Sequence, residues 1–223
     1  MSAQVDLYST IHKGQRARFF KIAARAGTID YADHKALDSL YDELRPFREE
    51  MCLHAALEEK FIHPLLSNRV PGGARELEAD HRNMHQQIDD LLTHFDGLRV
   101  KTDFEKRSEL ALEFYRAWNR FISFYFTHIN KEEENIQPSL WALCTNDELA
   151  TVFKTIIASQ KPDELMENLG MMLSASNLYE RAGILMGGRA IMPPEAFQTV
   201  LKFAEQVLSP NDWLALKSKI GIT

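Results

Sequence analysis

The sequence predicts an all-α protein: an up-down-up-down four-helix bundle with a C-terminal helical extension. Three observations predict it. Apolar residues recur at helical spacing over long stretches, short alternating β-branched runs are nearly absent, and the ten glycines fall in a few places. Helix 1 is expected over residues 5–26, stopped at Gly27 by a usual C-terminal signal. Helix 2 should run from residue 31 or 32, behind an Asp30 cap, to about residue 66. Pro46 lies inside it and is expected to kink or divide it. Pro71-Gly72-Gly73 is a firm break. Helix 3 is expected over 75–95 and helix 4 over 103–136, the latter rich in aromatics such as Phe114, Trp118 and Phe121. Connections this short favour antiparallel neighbours, hence the bundle.

After about Trp141 the register changes. Asn146 or Asp147 can cap a helix reaching Ser159, and Pro162 opens another. Pro193-Pro194-Glu195 starts one that reaches about Leu208, and Ser209-Pro210-Asn211-Asp212 starts a short last one. This tail holds no histidine. The expected division is residues 1–144 for the bundle and 145–223 for an extension. Its apolar residues, Leu169, Leu173, Leu201 and Trp213 among them, should cover the bundle or make a homodimer.

Composition narrows the function classes. The 223 residues suffice for one well-buried domain, and 45% of them are apolar, ordinary for a globular chain. A net charge of −6 without a Lys/Arg-rich run argues against a nucleic-acid partner held through phosphates. No run approaches eighteen consecutive apolar residues, so no membrane span is expected. The first residues lack a basic start and apolar core, so no signal peptide is expected either. Cys52 and Cys144 are too few and too far apart for a disulfide framework, which fits a reducing cytoplasm.

The chemistry sits in a repeat. The segment from His54 to Leu66 aligns without a gap on the segment from His128 to Leu140, with six identities. His54, Glu58, Glu59 and Pro64 fall in step with His128, Glu132, Glu133 and Pro138. On a helix, positions i and i+4 share a face one turn apart, so each His-x-x-x-Glu offers an imidazole and a carboxylate to one point. Two such helices facing each other outline a dinuclear metal site. A buried carboxylate that met no cation would cost several kcal/mol, which favours ligation over accident.

His12 on helix 1 and His81 on helix 3 complete one histidine per helix. His85 follows His81 by four and shares its face, either as a ligand or as a donor to one. His63 aligns with Gln137 and, on a regular helix, points well away from His54, so a surface or helix-end role is expected. His34 and His94 lie near helix ends without a partner pattern. Glu59 and Glu133 read as outward members of their pairs that can hold an imidazole N–H. Tyr8, one turn before His12, is read as a core residue in preference to a pocket donor. The metal ligands expected are therefore His12, His54, Glu58, His81, His85, His128 and Glu132. Imidazole and carboxylate without thiolate suit iron, manganese or zinc, and six or seven donors exceed one tetrahedral ion.

The order His12, His54-x-x-x-Glu58, His81-x-x-x-His85, His128-x-x-x-Glu132 resembles the hemerythrin-like, or HHE cation-binding, family over about residues 8–140. The resemblance implies a non-heme di-iron centre bridged by Glu58, Glu132 and an oxo or hydroxo group, with an open position for O2, NO or peroxide. Oxygen-carrying members place four residues before a final carboxylate that is usually Asp. Here three residues precede Glu132, similar to bacterial iron–sulfur repair proteins and to eukaryotic iron-sensing members. The repair proteins also carry a small cysteine-bearing domain ahead of the bundle. His81-x-x-x-His85 is similar instead to the five-histidine oxygen-binding set. Three functions follow as expectations: a module that binds O2 or NO for sensing, storage or delivery; a di-iron enzyme with peroxidase, catalase-like, NO-reducing or stress-repair activity; and a helical interaction protein or plain iron store.

Overall fold

The computed structural model describes residues 4–101 and 103–222, and every regular element among them is helical. The chain forms two compact units, one of Phe19–Leu143 and the other of the chain up to Arg18 together with the chain from Cys144 onward. The first helix, α1 (Ser9–Thr28), gives its earlier turns to one unit and its later turns to the other.

Within Phe19–Leu143 follow α2 (His34–Leu57), α3 (His63–Ser67), α4 (Arg75–Arg99), α5 (Phe104–Lys131) and α6 (Gln137–Leu143). Asp33, not Asp30, caps α2: its carboxylate accepts from Lys35 N–H, while Asp30 caps the preceding turn through Ala32 N–H. Asp103 caps α5 by accepting from Lys106 N–H at 3.1 Å. Two expected stops do not stop their helices. α1 continues through Gly27 to Thr28, because this glycine answers a close approach: a Cβ there would sit 3.1 Å from the Tyr115 ring. α2 is not divided at Pro46, which is exposed, so the carbonyl it leaves without a donor faces water.

The interruption comes at two other prolines. Between α2 and α3, and again between α5 and α6, the helix widens into a π turn, Glu58–Ile62 and Glu132–Ile136. Pro64 and Pro138 have no N–H and crowd the carbonyl four residues back. The preceding residue reaches back five instead: His63 N–H donates to Glu58 O, and Gln137 N–H to Glu132 O.

One hydrophobic core joins the later turns of α1 (Phe19, Ile22, Ala26) to α2, α4 and α5. Phe19 meets Phe47 edge-on at 4.7 Å, and the same ring contacts Trp118, Phe121 and Tyr125. Each such fully buried side chain contributes about 1.5–3 kcal/mol, the aromatic pairing somewhat more. At one end of this core Arg107, 4% exposed, donates to Lys101 O and to Tyr31 O at 3.1 Å, with His34 Nε2 also within reach. A buried guanidinium thus ties the loops before α2 and before α5.

The other unit is built from α7 (Asn146–Ser159), α8 (Pro162–Ala175), α9 (Leu178–Ile191), α10 (Pro194–Val207) and α11 (Pro210–Ile220). Thr145 with Glu148, and Asn177 with Glu180, form capping boxes, and Ser209 caps α11. α9 has no counterpart among the expected helices; it carries Gly183, Gly187 and Gly188 behind its Asn177 cap. A second core of Leu173, Leu185, Ala204 and Leu216 with their neighbours holds α8 to α11 together. Lys13 and Arg18 of α1 pair with Glu180 and Glu167.

Candidate metal centre

The repeat converges in the interior of Phe19–Leu143. Glu58 and Glu132 are 2% and 0% exposed, on the first residue of each π turn. His54 Nε2 lies 3.0 Å from Glu58 Oε1, and His128 Nε2 lies 3.3 Å from Glu132 Oε1, the i,i+4 pairing of each repeat. His81, from α4, stands between the two. Its Nε2 is 3.2 Å from Glu58 Oε2, 4.0 Å from Glu132 Oε1 and 3.1 Å from His128 Nε2. Ligand atoms of His54, Glu58 and Glu132 lie within 4.8 Å of one another, as do those of Glu58, His63, His81 and Glu132.

Outer carboxylates hold two of these rings. Glu59 Oε1 lies 3.0 Å from His81 Nδ1, and Asp80 Oδ2 lies 3.4 Å from His128 Nδ1. Lys131 in turn pairs with Asp80 at 2.9 Å and with Glu76 at 2.5 Å. Such contacts fix ring orientation and leave Nε2 facing inward.

The electrostatics are those of a crowded interior. Burial, then the Glu58 carboxylate, raises the Glu132 pKa well above the ordinary range. Burial pushes His128 down to about 4. It also opposes charge on His81, but the bonds to Glu58 and Glu59 outweigh it and the net shift is upward. Two carboxylates and several imidazoles sharing buried space need protons or cations to neutralise them. The donor set therefore fits a cation.

His12 lies on the part of α1 in the other unit, where its ring packs on Tyr8 at 5.5 Å. Tyr8 is a buried residue of that unit. His85 is half-buried, and its Nε2 has no hydrogen-bond partner among the described residues, yet it belongs to neither cluster of ligand atoms. Sequence reasoning missed His63, which is 2% exposed and stacks on His81 at 5.3 Å. The π turn is the reason. A wide turn advances about 80° per residue against 100°, so five residues swing His63 by roughly 100° from its α-helical direction. Pro64, directly after it and repeated as Pro138, was the available signal.

The family model for the hemerythrin HHE cation binding domain matches residues 4–140, which include every residue of this cluster. The chain belongs to the hemerythrin HHE family. Among curated relatives of this HHE chain, F-box/LRR-repeat protein 5 of Xenopus laevis is 24% identical over 183 residues, covering 79% of this chain and 26% of the relative. The Mus musculus protein of the same name is 24% identical over 176 residues, covering 75% and 24%, and that of Salmo salar is 20% identical, covering 80% and 25%. The chain thus spans about a quarter of the length of these relatives. An aligned stretch of three-quarters or more of the chain is longer than the HHE match, so the likeness to these relatives continues past residue 140. No solved structure matches.

Proposed function

We propose that this HHE protein holds a pair of iron ions between Glu58 and Glu132 and binds O2, NO or a related small oxidant there, for sensing, storage or delivery. The observation that carries the reading is the meeting of two buried carboxylates with His54, His81 and His128 in one pocket. Manganese and zinc are compatible with the same donors, but two carboxylates able to bridge favour a pair of redox-active ions. His12 and His85 enter the proposed ligand set from the sequence pattern, His85 with the added support of its buried Nε2. The core shared by α1, α2, α4 and α5 supports the four-helix arrangement, with 145–223 as its helical extension. No described helix is long and apolar enough to cross a membrane, and the two free cysteines suit a reducing cytoplasm.

Reduced iron supplies the affinity for O2 or NO when bound. The protein's own residues do the rest. Glu59 and Asp80 orient His81 and His128, so that Nε2 is presented inward. Burial keeps the two carboxylates from water, Glu58 and Glu132 being almost wholly enclosed. Burial and the Glu58 carboxylate favour protonation of Glu132, so a cation entering the centre competes with a proton there.

The test is iron analysis of protein reconstituted anaerobically with Fe(II), followed by titration of the reduced protein with O2 and NO in a stopped-flow spectrophotometer. A stable adduct that reverses on degassing is expected. Irreversible oxidation with no adduct rejects the binding function, and no bound iron rejects the centre.

A further inference from the structure

We infer that His63 is itself a metal ligand of this centre, giving one ion position an imidazole that the repeat does not provide to the other. The inference rests on the cation-binding reading above. His63 is almost wholly buried, and neither ring nitrogen has a hydrogen-bond partner among the described residues. A histidine in a packed core ordinarily satisfies both nitrogens, and leaving a buried polar atom unsatisfied carries a penalty of about 1–3 kcal/mol. The ring faces the centre: it lies almost parallel to His81, at 17°, and its ligand atom is within 4.8 Å of those of Glu58, His81 and Glu132. Two donors about 2.1 Å from one ion are roughly 3 Å apart when adjacent and 4.2 Å when opposite. Small side-chain adjustments therefore bring this set around a single ion.

The backbone supplies the rest of the argument. His63 reaches the pocket because the π turn has rotated it there, and its own N–H is the one that closes the turn on Glu58 O. The matching position in the second repeat is Gln137, buried on an equivalent π turn but carrying an amide. An amide is a weak ligand beside an imidazole. One repeat thus contributes His54, Glu58 and His63, the other only His128 and Glu132. The two ion positions are therefore not equivalent, since only one has an imidazole from a π turn.

The experiment compares the full chain with His63→Gln, which copies the second repeat, and with His94→Gln as a histidine outside the centre. Each is loaded anaerobically with Fe(II), desalted and assayed for iron, with circular dichroism on the empty protein. Wild type and His94→Gln should retain about two irons per chain and His63→Gln about one. A folded His63→Gln that keeps wild-type iron content, affinity and absorption spectrum overturns the inference while leaving the centre intact. Wild type that binds no iron overturns both. His63→Cys loaded with Co(II) gives an independent readout: a thiolate-to-cobalt band in the near ultraviolet is expected, and its absence from a cobalt-loaded protein counts against ligation.

Discussion

Replacing Pro64 by Ala tests the link between helix geometry and the centre. Pro inside a helix costs about 3 kcal/mol relative to Ala, so its removal allows the turn at Glu58–Ile62 to close to ordinary α-helix. Closing it rotates everything beyond by roughly 100°. Leu66, 3% exposed, then leaves the core at a loss of about 2 kcal/mol, and His63 leaves the pocket. The net expectation is a metal-free protein more stable by about 1 kcal/mol, a rise of roughly 2–4 °C in melting temperature. Its iron content nevertheless falls. Pro138→Ala has the same backbone effect, but the residue rotated away is Gln137, so iron content should change less. Urea titration of the metal-free proteins and iron per chain after desalting measure both quantities. A Pro64→Ala variant that is less stable by about 2 kcal/mol or more and keeps its full iron content refutes the reasoning.

Three further outcomes are expected. Iron at a hundredfold over Kd should stabilise the wild type by about 2.7 kcal/mol, reversed by a chelator. Glu132→Ala should make melting indifferent to either addition, and a persisting chelator effect would place the metal elsewhere. Arg107→Met leaves the carbonyls of Lys101 and Tyr31 without their donor, and should lower stability by about 2–4 kcal/mol in urea titration with iron content unchanged. Glu180 has its pKa lowered, first by Lys13 and then by the Asn177 backbone. Its folded pKa lies below its unfolded one, so its contribution is present above the ordinary glutamate range and is lost as pH falls through the folded value. Glu180→Gln should flatten that acid limb of a stability–pH curve, and an unchanged limb would assign the acid sensitivity to other groups.

Much of the fold is legible in the sequence because capping and periodicity are local. Pro162 and Pro210 open helices where their φ is pre-set, and α5 begins about where expected, capped by Asp103. Gly27, Pro46 and α9 show where local rules yield: a glycine under a tyrosine ring, a proline facing water and a glycine-bearing stretch behind a capping box are all helical. For the centre, the gapless repeat pointed to His54, Glu58, His128 and Glu132, and the structure brings their side chains together with His81. His63 was illegible because phase was counted as if every turn were α-helical. Pro64 breaks that count, whereas Pro46, at a solvent face, does not interrupt its helix. The effect of a proline on side-chain direction depends on what its helix packs against, which spacing does not encode.

His81 and His128 are each gripped from behind by an acidic side chain that reaches toward solvent, Glu59 being 44% exposed and Asp80 clasped by Lys131. The aim of the innermost rings is therefore set by charges that dissolved salt can screen. Ionic strength, or sequence drift at Glu59 or Lys131, reaches the middle of the molecule without altering one interior atom. A lineage can retune such a centre from its skin.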